Sequence, residues 1–308
     1  MVTGASALVR RRRLRRLGLF SGAAATRPTL ARPLAFGLVV IALGLAAVAL
    51  VGPLMSGVID YRVSETLKNQ TVGLDAVSLF VVAPLAFVAA GLVLRGRVVG
   101  FALALGIGAY TSYMFTQYIL GPDYGHLAGN NERLFPLCLI LFAAGWLVAL
   151  AAWNAIDSER LTSSRQRERL LGRVILPALA LVAFVRYLPS LADWMSAHPT
   201  DKSYLAGPSF SWAIAMLDPG VFLPVTAATC VGLAGGRAWA RKALYAVVGW
   251  FGLVGSAVAA MAIAMIVNGD PNGSAGMAIF MTALGLAFLA LAIVLFGPLL
   301  GRATREAS

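Results

Sequence analysis

Two cysteines and two histidines are all that this 308-residue chain offers for thiol or imidazole chemistry. Cys138 and Cys230 fall in separate apolar segments, at opposite depths in the topology derived below. They have no metal-ligand spacing and no disulfide geometry to share, and read as buried thiols. His126 and His198 lie between apolar runs, with Asp123, Glu132, Asp193 and Asp201 nearby in sequence. That set could hold a divalent ion, but no His-Glu-x-x-His pattern supports it. Solvent-exposed loop histidines are the plainer reading, and no metal is assigned. Glycine-rich phosphate loops, serine elbows, Cys-x-x-Cys pairs and paired intramembrane histidines are all missing. ATPase, hydrolase, redox and haem chemistry therefore lack their groups, and no cofactor is called for. Lys242 stands at a segment boundary, so the last two apolar segments contain no lysine for a retinal Schiff base.

Charge is equally sparse. Charged residues make up 12% of the chain, against roughly a quarter in soluble proteins. Apolar residues make up 59% and come in blocks long enough to span a bilayer, which needs about 20 consecutive apolar residues. The blocks fall at 34–57, 76–94, 98–120, 134–154, 174–192, 210–234, 244–267 and 276–299. The expected fold is an all-α polytopic transmembrane bundle of eight spans over residues 34–299. A basic cytoplasmic tail (1–33) precedes it and a short tail (300–308) follows. The first block starts beyond the usual core of a cleavable signal peptide and is read as a retained span.

Net charge is +12, but its placement argues for topology rather than nucleic acid. Strict alternation of eight spans puts 20 of the 25 Lys and Arg on one side, leaving Arg62, Lys68, Arg133, Arg186 and Lys202 on the other. By the positive-inside rule both termini are then cytoplasmic. The only dense basic run, Arg10 to Arg13 with Arg15 and Arg16, precedes a span and invites contact with anionic lipid. The 155–171 loop, between the fourth and fifth spans, carries enough charge to form a short surface helix. Two four-helix halves divided by this loop fit the order, although no sequence repeat relates them.

Small residues recur at four-residue spacing in the third span (Gly100, Ala104, Gly108) and the seventh (Gly252 with Ser256, Gly255 with Ala259). Such spacing lets helix backbones approach closely. The unusual polar residues gather toward the extracytoplasmic side. The first outer loop holds Tyr61, Glu65, Asn69, Gln70, Thr71 and Gly73, with Asp75 at the mouth of the second span. Tyr110, Tyr113 and Gln117 are three and four apart and share one helix face. Arg186 and Tyr187 lie near the outer end of the fifth span. Asp218 sits inside the sixth, followed by Pro219, Gly220 and Pro224, so a helix break is expected at Asp218-Pro219-Gly220. A carboxylate in lipid costs about 2.5–3.5 kcal/mol and must face protein, water or a partner charge. An Arg186–Asp218 bridge would relieve both charges, and it reads first as a structural pair and second as the lining of a site. Snorkelling of Arg186 and helix capping by Asp218 remain open beside it.

The motifs Asn69-Gln70-Thr71-Val72-Gly73-Leu74-Asp75, Tyr110-Thr111-Ser112-Tyr113 and Leu217-Asp218-Pro219-Gly220-Val221-Phe222-Leu223-Pro224 carry a resemblance. With the basic turn at Arg237 to Lys242 they resemble a loosely defined group of bacterial multi-pass integral membrane proteins with no assigned activity. The likeness covers roughly residues 60–265 and implies a plasma-membrane location. That group carries Leu or a similar residue at the Pro219 position, which implies a sharper break here.

The leading functional expectation is transport of a small solute or ion. Its site would open to the extracytoplasmic side and use Asp75, Tyr110, Tyr113, Gln117, Arg186 and Asp218 as binding residues. Broken helices with a charge near the break are the usual transporter device. A non-catalytic sensor or assembly factor is the first alternative. The second is a membrane-embedded enzyme acting on a lipid or polyprenyl substrate, with Asp218, Asp75 or Glu65 as general base or metal ligand.

Overall fold

Hydropathy blocks of this length become helices because a bilayer leaves no other partner for backbone N–H and C=O groups. The computed structural model describes residues 28–161, 165–185 and 187–305 and contains helices but no strand among them. Eight helices among the described residues are long and apolar enough to cross a membrane. They are α1 Thr29–Val51, α2 Glu65–Leu94, α3 Val98–Leu120, α4 Asn131–Ala155, α5 Gln166–Trp194, α6 Pro208–Ala234, α7 Ala238–Val267 and α8 Ala275–Leu300. Large apolar side chains such as Phe36, Phe80, Leu147, Leu181, Val231 and Ile279 are exposed around the outside. An apolar belt of that extent suits lipid rather than water. The chain is a polytopic helical membrane protein. The basic run Arg10–Arg16 lies outside the described residues.

Two element boundaries differ most from expectation, the starts of α2 and α5. Residues 65–75, expected as an outer loop, are the first turns of α2. Ser64 caps this helix by accepting a bond from the Leu67 N–H, and Glu65, Leu67, Lys68 and Gln70 are good helix formers. Their polarity hid the helix from hydropathy, and Asp75 therefore sits inside the span. The charged stretch Arg165–Leu170, expected in the loop before the fifth span, is helical and forms the first turns of α5. It is anchored: Arg241 of α7 donates to the buried Glu168 at 2.8 and 2.9 Å, and also to the carbonyls of Ser158 and Leu161.

The sixth helix does not unwind at Asp218-Pro219-Gly220. It passes through a widened turn, Asp218–Phe222, closed by a bond from the Leu223 N–H to the Asp218 carbonyl. The same device appears at Ser78–Val82 in α2 and Leu171–Ile175 in α5. In each case a proline follows two residues after the turn, at Pro84, Pro177 and Pro224. A proline ring clashes with the carbonyl four residues back, and an i→i+5 turn moves that carbonyl aside without breaking the helix.

These turns reveal a backbone repeat. At one constant offset, Ser78–Val82 corresponds to Asp218–Phe222, Pro84 to Pro224, the helix end Leu94 to Ala234, and the next helix start Val98 to Ala238. The intervening turns are built alike. Gly96 and Gly236 have φ of 69° and 66°, and Arg97 and Arg237 donate to the carbonyls of Leu92 and Gly232. This is a Schellman ending, in which a left-handed glycine satisfies the last carbonyls of the helix. The repeat thus relates the α2–α3 junction to the α6–α7 junction, one in the first four helices and one in the last four. These two halves of the chain meet where α3 crosses α7: a Cβ on Gly106 would stand 2.9 Å from the Gly249 Cα. The halves are packed differently. In the first, α1 seals its face with Leu34, Leu38, Ile41, Ala42 and Leu45; in the second, α5 stands further from α6 and α8.

Candidate functional site

The looser packing of the second half leaves a cavity of about 310 Å³ bounded by α2, α3, α5, α6, α7 and α8. Gln70, Ser203 and Asn272 stand at its loop end, and Asp218 lies some 15 Å along α6 from Pro208. The wall is apolar and soft: Phe184, Trp250, Phe251 and Phe288, together with Met114, Met261, Met265, Met277 and Met281. Methionine side chains adapt to irregular ligands, and few polar groups are set among them.

Asp218 opens the widened turn and is 8% exposed. Its Oδ1 accepts from the Tyr113 hydroxyl of α3 at 2.7 Å, and its Oδ2 accepts a short bond from the Tyr187 hydroxyl of α5. Tyr113 is steered by aromatic edges, with ring centres 5.2 Å from Trp250 and 5.3 Å from Phe222. Phe222, at the end of the widened turn, stacks on Trp250. The turn therefore positions both the carboxylate and the ring that guides its partner. Arg186 lies outside the described residues, so the Arg186–Asp218 bridge is not described by this structure.

The sequence-derived set divides. Tyr113, Gln117 and Asp218 line the cavity. Tyr110 does not: it is fully buried, and its hydroxyl is 2.9 Å from Ser78 Oγ in α2. Tyr113 stands three positions after Tyr110, a rotation of about 60° around the helix, enough to turn one toward α2 and the other toward α6. Asp75 lies in its own enclosure, 2% exposed, accepting from the Tyr118 hydroxyl on Oδ1. A smaller pocket lined by Tyr61, Gln70, Gln117 and Tyr118 lies between the two carboxylate regions and shares Gln70, Leu74, Gln117 and Met261 with the large cavity. Glu65 faces outward and pairs with Lys68 at 2.9 Å, away from both carboxylates.

Sequence reasoning left Tyr187, Trp250 and the methionine group out of the site. Tyr187 had a signal, a hydroxyl inside an apolar segment. The methionines are spread over three helices and converge only through packing. Asn69 and Asn272 are held in another network: with Thr66 Oγ1 and the Asn272 backbone, Asn69 Nδ2 donates to the buried Asp270. His126 pairs with Asp123 at 3.0 Å. Among the described residues no three His, Cys, Asp or Glu groups gather as metal ligands.

Fold and site together define an all-helical polytopic membrane protein with a carboxylate-bearing cavity between its two halves. Comparison of the chain with protein-family models, curated proteins and solved structures found no match.

Proposed function

We propose that this protein transports a small solute through the cavity that ends at Asp218. The observation carrying the reading is the cavity of about 310 Å³ itself, which joins the loop end of the bundle to a buried carboxylate at a widened helical turn. Irregular backbone beside a charge at the meeting of two structural repeats is a recurrent arrangement in secondary transporters. The lining selects for a solute with an apolar body and a hydrogen-bond-donating group. The body would lie among the methionines and aromatic rings, and the donor would address Asp218, Tyr113, Tyr187 or Gln117.

Sidedness follows from the charge bias: the arginine-bearing turns at 95–97 and 235–237 face the cytoplasm, and the cavity opens outside. A bacterial plasma membrane is the proposed setting, in keeping with the resemblance drawn from the sequence motifs. Asp75 and Tyr110 belong to the proposal as groups behind the cavity rather than in its lining, and Arg186 belongs to it by its sequence position alone.

The test is uptake into proteoliposomes of a panel of labelled arylalkylamines, amino acids and small organic anions. Wild-type protein should accumulate at least one class, and Asp218→Asn should lower its rate at least about tenfold, the equivalent of 1.4 kcal/mol or more. Uptake indifferent to Asp218, Tyr113 and Gln117 substitutions would reject the site. A protein that binds these solutes without moving them would point to the sensor reading.

A further inference from the structure

A second polar centre lies in the first half, around Asp75. This residue is buried within α2, and Tyr118 of α3 occupies its Oδ1. Its other oxygen, Oδ2, has no hydrogen-bond partner; the hydroxyl of Tyr61, a residue 3% exposed, has Tyr118 beside it but no bond of full hydrogen-bond geometry. These two oxygens face the same place. A Cβ built on Gly52, at the end of α1, would be 3.1 Å from Asp75 Oδ2, 3.2 Å from Tyr61 Oη and 3.0 Å from the Val48 carbonyl oxygen. No Lys or Arg among the described residues pairs with Asp75. A carboxylate at this depth demands a compensating positive charge or neutralisation.

We propose that Asp75 Oδ2, Tyr61 Oη and the Val48 carbonyl beside Gly52 form a binding site for a monovalent metal cation of sodium size. The chemistry fits a hard cation. All three groups are oxygens, one carries negative charge, and no N–H group competes for Oδ2. Histidine and thiolate ligands that would favour a transition metal do not supply this cluster. Gly52 matters because a side chain there would crowd all three oxygens, a Cβ standing 3.0–3.2 Å from each, while the Val48 carbonyl also accepts the Gly52 N–H at 2.9 Å. The titratable groups facing Asp75 are Tyr61 from the α1–α2 connection, Tyr110 and Tyr118 from α3 and Cys138 from α4. All are phenols or a thiol, uncharged at neutral pH by their ordinary chemistry, so none adds a positive charge against the cation, and protons are its natural competitor.

The site is separate from the cavity and does not depend on the transport reading. Leu74 lines the cavity next to Asp75, and Tyr113 and Gln117 line it from the helix that carries Tyr118. Cation binding would therefore set the helices that bound the solute site.

Purified full-length protein in detergent would be unfolded thermally in sodium chloride and in choline chloride at equal ionic strength. The proposal expects a saturable, sodium-dependent rise in unfolding temperature of several degrees and about one bound sodium per chain by isotopic equilibrium dialysis. Gly52→Ala, which crowds the three oxygens, and Asp75→Asn, which removes the charge, should each abolish the sodium shift. Asp218→Asn should retain it. If either of the first two variants fails to fold, the dialysis stoichiometry of the wild type still decides. Absence of sodium binding, an equal shift in all variants, or stabilisation that follows pH but not sodium would overturn the proposal. The last result would mean that Asp75 is neutralised by a proton. Loss of sodium binding with solute uptake intact would leave the transport reading standing, and the reverse result would leave this one.

Discussion

Asp218 receives a hydroxyl on each oxygen from helices of different halves, Tyr113 of α3 and Tyr187 of α5. Hydrogen bonds to a charged group contribute about 1.5–3 kcal/mol each. Tyr113→Phe and Tyr187→Phe should each lower stability in detergent by that order. Their double mutant should depart from additivity by about 0.5 kcal/mol or more, because the bonds share one carboxylate. Denaturant titration of the four proteins is the check, and strict additivity would show that the two phenols do not compete for the same charge. At the other end of the bundle, Arg241 holds the buried Glu168 in a two-point pair. Arg241→Met should cost about 3–5 kcal/mol by stranding the carboxylate, and adding Glu168→Gln should restore much of it. A double mutant as unstable as Arg241→Met alone would place the loss in the carbonyls of Ser158 and Leu161 instead.

Helices here are tuned by where proline stands. Each widened turn precedes a proline by a fixed interval, and at α6 that turn presents Asp218 to the cavity and Phe222 to Trp250. Pro224→Ala restores an N–H and removes the ring clash, so the turn should tighten toward ordinary α-geometry. The expected outcome is loss of the Phe222–Trp250 stack, read as altered tryptophan emission and near-ultraviolet dichroism, with a weakened solute site. Pro84→Ala should leave those signals unchanged because its turn serves Ser78 and Tyr110. A second element-scale constraint is the crossing of α2 and α7. A Cβ on Gly73 would lie 2.3 Å from the Ala260 carbonyl oxygen, a backbone atom that cannot swing aside. Gly73→Leu should destabilise by at least the 1–3 kcal/mol typical of overpacking, visible as aggregation on size-exclusion chromatography. An undisturbed elution profile and melting point would mean that the crossing is looser than these distances imply.

At the scale of the molecule, the repeat makes a topological demand. The turns containing Arg95 and Gly235 are equivalent, so cysteines placed there in a chain with Cys138 and Cys230 replaced by serine must share one side of the membrane. Under the charge rule that side is the cytoplasm, and an impermeant thiol reagent should label neither in intact cells while labelling cysteines at Ala128 and Ala197. Labelling of just one of the two turns would break the repeat, and labelling of both with protection of the loops would invert the bundle. Hydropathy alone was enough to read eight spans, an all-helical fold and the anomaly of Asp218, because the bilayer imposes length and composition locally on every segment. It misplaced the start of α2 because Glu65 to Asp75 are polar yet helical, and the break it expected at Asp218-Pro219-Gly220 takes the form of a widened turn. Tertiary structure decided what no local pattern carries. Tyr110 and Tyr113 share a helix face broadly, yet packing between the halves sends one to Ser78 and the other to Asp218. Asp75 and Asp218, grouped by depth along the chain, occupy separate centres because depth fixes only one coordinate. The rotation and spacing of helices, set by contacts such as Gly106 on Gly249 and by the looser seat of α5, fix the others.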